Sequence, residues 1–298
     1  MTTNNGLLLL DKPQGVTSHD AVDQVRRVLN ERRVGHAGTL DPMATGLLVI
    51  AVGASTRLLR FAQSETKRYE GVVTFGIRTD SLDADGEVLE RCAVPVLDVV
   101  TVNEQATAML GTQQQTPPMV SAIKVKGRRL HALAREGVEV EREPRTVRID
   151  AFELAPIDKE NWSFAVTCST GTYIRVLLSD LAERLGTIGH LSALRRVASG
   201  PHVVSDALTY FEFEDRVSLG VGVLAPPRAF VEHLASVTIS EDDERRLRQG
   251  QRVALEAPEG GEIAALNAAG SLVAVVRPRG EHFQPVVVLP DDVASARE

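Results

Sequence analysis

Asp41 stands in the densest run of turn-forming and small residues in the chain: Gly35-His36-Ala37-Gly38-Thr39-Leu40-Asp41-Pro42-Met43-Ala44-Thr45-Gly46. Three glycines permit tight backbone turns and the close approach of a ligand. The run lacks the Gly-Lys-Ser/Thr ending of a P-loop, so it does not describe a triphosphate cradle. A carboxylate on such a loop has the means to act as a nucleophile or a base. Asp41 before Pro42 equally fits a helix N-cap with proline at the first helical position. On residue types alone both readings stand.

Other groups suited to chemistry lie far off in sequence. Lys67-Arg68-Tyr69 puts an aromatic ring beside two cations. Gly171-Thr172-Tyr173-Ile174-Arg175 puts a phenol and a guanidinium two residues apart after a glycine turn. Leu194-Arg195-Arg196 adds two cations, and Thr79 to Gly86 is an acidic, turn-rich loop without the spacing or terminal Glu of an EF-hand. Each has a plain structural alternative: a strand aromatic packed on the core, a solvated helix arginine, a capped turn.

Together these segments resemble the motifs of TruB-type pseudouridine synthases, in which Gly-His-x-Gly-Thr/Ala-Leu-Asp-Pro-x-Ala-x-Gly precedes a buried strand. The resemblance spans residues 6 to 215, with the motifs in order, and is weaker beyond. It implies that Asp41 is the catalytic carboxylate and that Tyr69 stacks on a flipped uracil. Arg175 would pair with Asp41 and keep it ionised, and Tyr173 would be the proton-transfer group. It further implies that Leu194 packs beside the uracil while Arg195 and Arg196 face RNA, with Gly38, Thr39, Lys67 and Arg68 also on the substrate side. Asp85 would either order the site's surroundings or cap its turn. His36 would touch RNA rather than act as a base.

The implied reaction breaks the N1–C1′ bond of uridine 55 in the tRNA T loop, turns the base, and rejoins it through C5. The base must leave its stack, at roughly a few kcal/mol. Neither metal nor organic cofactor is implied. A passive RNA-binding or RNA-folding module would need the basic face but not Asp41, Tyr69, Tyr173 and Arg175 together. A sugar-cleaving enzyme would need a second carboxylate across the bond, with Trp162 as the candidate sugar platform.

The chain has 298 residues, 43% hydrophobic and 24% charged, a globular composition large enough for a big domain and a small companion. Its net charge of −7 is unevenly spread. Residues 23–68 and residues 120–148 each hold eight Lys/Arg against four acids, whereas residues 229–298 hold seven against twelve. The first two-thirds therefore has the charge for a phosphate-binding face, and the tail does not. No apolar run reaches the roughly 18 residues needed to span a membrane, and the N-terminus lacks the basic region of a signal peptide. A cytoplasmic monomer that binds the T arm of tRNA, without membrane or protein partner, is expected. Cys92 and Cys168 have no metal-ligand spacing, and Cys168 falls in an alternating run as a small buried hydrophobe.

Positioning these groups requires a scaffold. Leu7–Leu10 predicts a buried strand ended by Asp11-Lys12-Pro13-Gln14-Gly15, then a helix capped by Thr17 or Ser18 with Asp20 in its first turn. Leu47–Val52 predicts a fully buried strand, Tyr69–Ile77 another, residues 101–112 a helix, and Val147–Leu154 and Ser163–Cys168 two more strands. Leu177, Leu181 and Leu185 mark a helix stopped by Gly186. The basic stretch from about 116 to 145, with Lys124 and Lys126, resembles the family's RNA-gripping thumb. Ala225-Pro226-Pro227 marks a boundary, followed by a charged helix over Glu241–Arg248 and a hairpin turning at Ala268-Ala269-Gly270. These segments predict a mixed α/β body with a β-rich appendage, and the resemblance implies a mixed α/β (α+β) pseudouridine synthase fold with a large, mostly antiparallel sheet crossed by a catalytic cleft. That body covers residues 1–228, and a small β-rich PUA-like domain covers residues 229–298.

Overall fold

A computed structural model describes residues 5–63, 66–119, 124–125, 128–129, 140–256, 258 and 261–290. The strands in chain order are β1 (Gly6–Lys12), β2 (Val34–His36), β3 (Thr45–Val52), β4 (Lys67–Phe75), β5 (Ile77–Thr79), β6 (Val88–Arg91), β7 (Gly111–Gln115), β8 (Lys124–Val125), β9 (Arg128–Arg129), β10 (Arg145–Pro156), β11 (Asn161–Cys168), β12 (Gly189–Ser199), β13 (His202–Val203), β14 (Ser236–Thr238), β15 (Ile263–Leu266), β16 (Leu272–Arg279) and β17 (His282–Val288).

Nine of them form one sheet in the order β1-β3-β12-β4-β11-β10-β7, with β2 and β13 as side branches. Every pairing in it is antiparallel except β3 with β12, which run parallel and meet through only two register pairs, Arg195 with Thr45 and Arg196 with Gly46. On its other side β12 pairs β4 along its full length, interrupted by two bulges. The sheet is thus two antiparallel halves joined at a short parallel seam.

Buried apolar residues explain why these segments are strands. β3 is buried from Gly46 through Val52, as its unbroken apolar run demands. β11 alternates, with Trp162, Phe164, Val166 and Cys168 inward, and the core they join also holds Phe75, Ile149, Leu177 and Leu181. Trp162 is therefore a core residue, set edge-on to Phe75 with ring centres 6.5 Å apart. It is no platform for a sugar. The expected strand Tyr69–Ile77 is broken in two by Gly76, whose φ of 83° turns the chain out of the ladder.

The helix Ser18–Leu29 is bounded as its sequence requires. Thr17 and Asp20 form a reciprocal capping box, and Asn30 closes the other end in the left-handed conformation at φ 51°. The helix expected over 101–112 runs Val99–Thr107 from an Asp98 cap. The helix carrying Leu177 and Leu181 runs Ile174–Arg184. Asp41 does not begin a helix. Residues 39–44 form a turn leading directly into β3, so the proline after Asp41 serves a tight bend.

The C-terminal segment builds its own four-stranded sheet, β14-β15-β16-β17, with the charged helix Glu241–Arg248 against it and the hairpin turn at Gly270 in place. Its inner residues Ala264, Leu266, Leu272, Val275 and Val287 share one buried cluster with Leu7, Leu47 and Val49 of the body and with Phe230.

Candidate active site

The turn bearing Asp41 is tied down from three directions. The Ser18 hydroxyl donates to Leu40 O at 3.0 Å and accepts from Leu40 N–H at 2.8 Å. Gly15 N–H donates to Pro42 O at 2.8 Å, and the wholly buried Lys12 Nζ donates to Val16 O at 2.6 Å, Pro13 O at 3.0 Å and Pro42 O at 3.4 Å. Behind the turn, Gly46 has φ 100° and lies so close to β12 that a Cβ would stand 2.3 Å from Arg196 O. Only glycine lets β3 meet β12 there.

Asp41 Oδ2 lies 3.1 Å from Arg175 Nε. The same guanidinium, almost wholly buried, approaches Asp83 Oδ2 at 3.2 Å and donates to Ser81 O at 2.9 Å through Nη1. Asp83, not Asp85, is the acidic-loop residue that orders the site. Asp85 instead contributes its N–H to Asp83 Oδ1 at 3.1 Å. Leu82 adopts a left-handed backbone at φ 63°, costly for a branched side chain, between the two groups that receive Arg175.

Burial sets the electrostatics. It pushes the Asp41 carboxyl above the usual carboxylate range, Arg175 opposing and Asp83 and Asp85 reinforcing. Asp41 still keeps 36% of its side-chain surface exposed, and it lines the cleft. Arg175 thus limits an upward shift without reversing it. Burial also brings the Lys12 ammonium down to about 8, against the pull of Asp41. It raises the Tyr69 hydroxyl and takes the Cys168 thiol up to about 11, an unreactive buried sulfur.

A cavity of about 380 Å³ opens above Asp41, a volume within the usual range of small-ligand sites. Among its walls are Gly38, Thr39, Lys67, Tyr69, Tyr173, Arg175, Leu194 and Arg196. Of the residues singled out in the sequence, nine therefore converge with Asp41 included. The others do not. Arg68 is exposed on β4 near Glu70, 3.5 Å away. Arg195 makes a two-pronged contact with Asp11, at 3.0 and 2.6 Å, in a separate shallow depression. Lys124 lies in the β8–β9 hairpin, and Lys126 lies outside the described residues.

Arg196 departs from the expected RNA-facing arginine. It is 1% exposed, and its Nε donates to Leu47 O at 2.7 Å and its Nη2 to Gly38 O at 3.1 Å. It fastens the start of the Asp41 loop to β3, and its charge acts from inside the protein. His36 is set edge-on to His19 with ring centres 6.0 Å apart, and burial lowers it to about 4. It is neutral at neutral pH.

Lys12, Asp83 and Gln115 escaped notice in the sequence. Lys12 sits in a turn, where lysine is ordinarily solvated, and Asp83 is one of three acids in the loop Thr79 to Gly86. Gln115 belongs to a polar run, Thr112-Gln113-Gln114-Gln115-Thr116, that carries no periodic signal. Only the register of β7 with β10 brings it against the backbone of Tyr173.

Residues 26–174 match the model for "TruB family pseudouridylate synthase (N terminal domain)", and residues 234–290 match "tRNA Pseudouridine synthase II, C terminal". A tRNA pseudouridine synthase B of Leifsonia xyli is 41% identical over 298 residues, covering 97% of each chain. One from Streptococcus thermophilus is 38% identical over 291 residues, covering 96% of this chain and 99% of its own. One from Opitutus terrae is 48% identical over 205 residues, covering 69% of this chain and 85% of its own. In three dimensions the chain superposes on a subunit of an H/ACA RNP bound to a substrate RNA containing 2′-deoxyuridine, with TM-score 0.74 and 21% identity over 97% of this chain and 86% of that one. That likeness shows a shared fold. On these matches over most of its length, the chain belongs to the TruB family of pseudouridylate synthases.

Proposed function

We propose that this enzyme converts uridine 55 in the T loop of tRNA to pseudouridine, with Asp41 as the catalytic carboxylate. The observation that carries this reading is the Asp41–Arg175 contact at the floor of a cavity walled by Tyr69, Tyr173 and Leu194. The tRNA substrate is suggested by the relatives' shared name, tRNA pseudouridine synthase B.

The chemistry follows from the walls. The N1–C1′ bond breaks, the freed uracil turns, C5 bonds to C1′, C5 loses its proton and N1 gains one. Attack on C1′, attack on the ring and removal of the C2′ proton are three routes, and each needs an ionised carboxylate at Asp41. Arg175 favours that ionised form. The Tyr69 ring stacks on the extruded base, Leu194 packs beside it, and Tyr173 moves the proton. Gly38 and Thr39 flank the sugar, with Lys67 beneath. His36, Arg68 and Arg195 meet RNA outside the cavity, and the basic segment around Lys124 and Lys126 grips phosphates without reading sequence. Residues 1–228 form the catalytic unit, and residues 229–298 a PUA-like unit whose acidity suits shape recognition better than phosphate binding. The enzyme works as a monomer in the cytoplasm.

The test is tritium release from a tRNA transcript labelled at uracil C5, run with wild type and Asp41→Asn, and repeated with position 55 replaced by cytidine. Release by wild type alone, abolished by the cytidine substitution, is the expected result. Binding without release by wild type would leave an RNA-folding module in its place.

A further inference from the structure

Gln115 ends β7, and its register partner across the ladder, Arg145, begins β10. The chain between them is the basic run that includes Lys124, Lys126, Arg128 and Arg129. Gln115 is only 4% exposed, a deep burial for a glutamine. Its polar atoms are used on one residue. Oε1 accepts from Tyr173 N–H at 2.7 Å, and Nε2 donates to Tyr173 O at 3.1 Å. A side-chain amide thereby pairs a single residue's backbone in both directions, as a neighbouring strand would.

Tyr173 needs such a partner. It is the residue before the helix Ile174–Arg184, its backbone is extended at φ −92° and ψ 106°, and that helix has no side-chain cap. The loop before it is held from the far side. Thr172 Oγ1 donates to Ser169 O at 2.9 Å, and Ser169 exchanges hydrogen bonds with Arg148 of β10 at 2.8 and 2.9 Å. Just beyond Gln115, Pro117 and Pro118 are buried, and Arg142 Nη1 donates to Pro117 O at 3.0 Å. Gln115 therefore links a braced strand end to the residue that immediately precedes the helix carrying Arg175.

From this geometry we infer that Gln115 is a positioning residue for uridine isomerisation, holding Tyr173 and the start of the Arg175 helix in register with Asp41. The inference rests on the isomerase reading given above. An amide suits the task because it donates and accepts without placing a charge beside the cavity. Glutamate at this position would keep the acceptor and lose the donor, and methionine would keep the shape and lose both.

Three measurements on Gln115→Met and Gln115→Glu test it: single-turnover conversion of bound tRNA, tRNA affinity, and amide exchange across residues 169–176. Gln115→Met is expected to slow conversion by about a hundredfold, the scale of a small misplacement of reacting groups. Affinity should stay unchanged, exchange at Tyr173 should quicken, and Gln115→Glu should recover part of the rate. Conversion by Gln115→Met at the wild-type rate would overturn the inference. So would equal losses of rate and affinity with exchange unaltered. If wild type converts no uridine, the isomerase reading fails and the catalytic part of this one with it. The exchange result would still report whether Gln115 holds Tyr173.

Discussion

Arg175 Nε stands 3.1 Å from Asp41 Oδ2, yet the carboxyl it faces is held above its usual range, because burial outweighs the guanidinium. Removing Arg175's contribution moves Asp41 further the same way. Arg175→Met is expected to shift the acid limb of the single-turnover pH profile to higher pH, and to cut the neutral-pH rate by about a hundredfold. A pH profile of bound, preformed complex checks both. An unshifted limb would mean that Arg175 does not set the ionisation of Asp41.

The same shift bears on stability. An unfolded Asp41 ionises near 3.8, and the folded one only at higher pH. Between those points stability falls as pH rises, and the deficit persists above them. Asp41→Asn carries no such deficit, so the inactive variant should melt at a higher temperature than wild type at neutral pH. Calorimetry of the two proteins side by side decides it.

His36 has the opposite sign. Its folded value of about 4 lies below its ordinary 6.5, so the stability it contributes is complete above 6.5 and is lost as pH falls towards 4. Replacing it by glutamine should flatten the melting temperature across that window. An equally steep decline in His36→Gln would assign the slope to other groups.

Arg196 serves as an internal tie, not an RNA grip. Arg196→Met strands the buried Leu47 O and the partly buried Gly38 O, and should cost about 2–4 kcal/mol in urea unfolding. The salt dependence of tRNA affinity should hardly change, since no phosphate contact is lost. A slope reduced by about one would return Arg196 to the RNA interface.

Gly46→Ala tests the seam. The added methyl meets Arg196 O, and the backbone stays in a left-handed region that alanine resists. A loss of about 2 kcal/mol or more, together with most of the activity, is expected by chemical denaturation and tritium release.

Much of the scaffold was legible because its signals are local. The Thr17–Asp20 capping box, the apolar run of β3, the alternation of β11 and the turn at Gly270 each announce themselves within a few residues. The Asp41 motif was legible as a candidate through its resemblance, since its residue types alone fit a helix start equally well. β12 was not read as a strand, because bulges near Ser192 and Val197 break its alternation. The same irregularity hid the burial of Arg196 beside the half-exposed Arg195. Lys12 and Gln115 were invisible for another reason: their partners are backbone atoms, those of its own turn and of Pro42 for Lys12 and those of Tyr173 for Gln115, and no pattern of side-chain types encodes those.

The short seam between β3 and β12 has a consequence for how such an enzyme can vary. The Asp41 turn and Leu194 both precede the two register pairs at which the parallel strands meet, and Arg196 of the second pair also lines the cavity, so the cavity lies beside that junction. Its place in the molecule is inherited from strand connectivity, and side chains finish its walls. Substitutions along the rim can retune which base is welcomed, or how fast it reacts, while the doorway itself persists for as long as the chain keeps its topology.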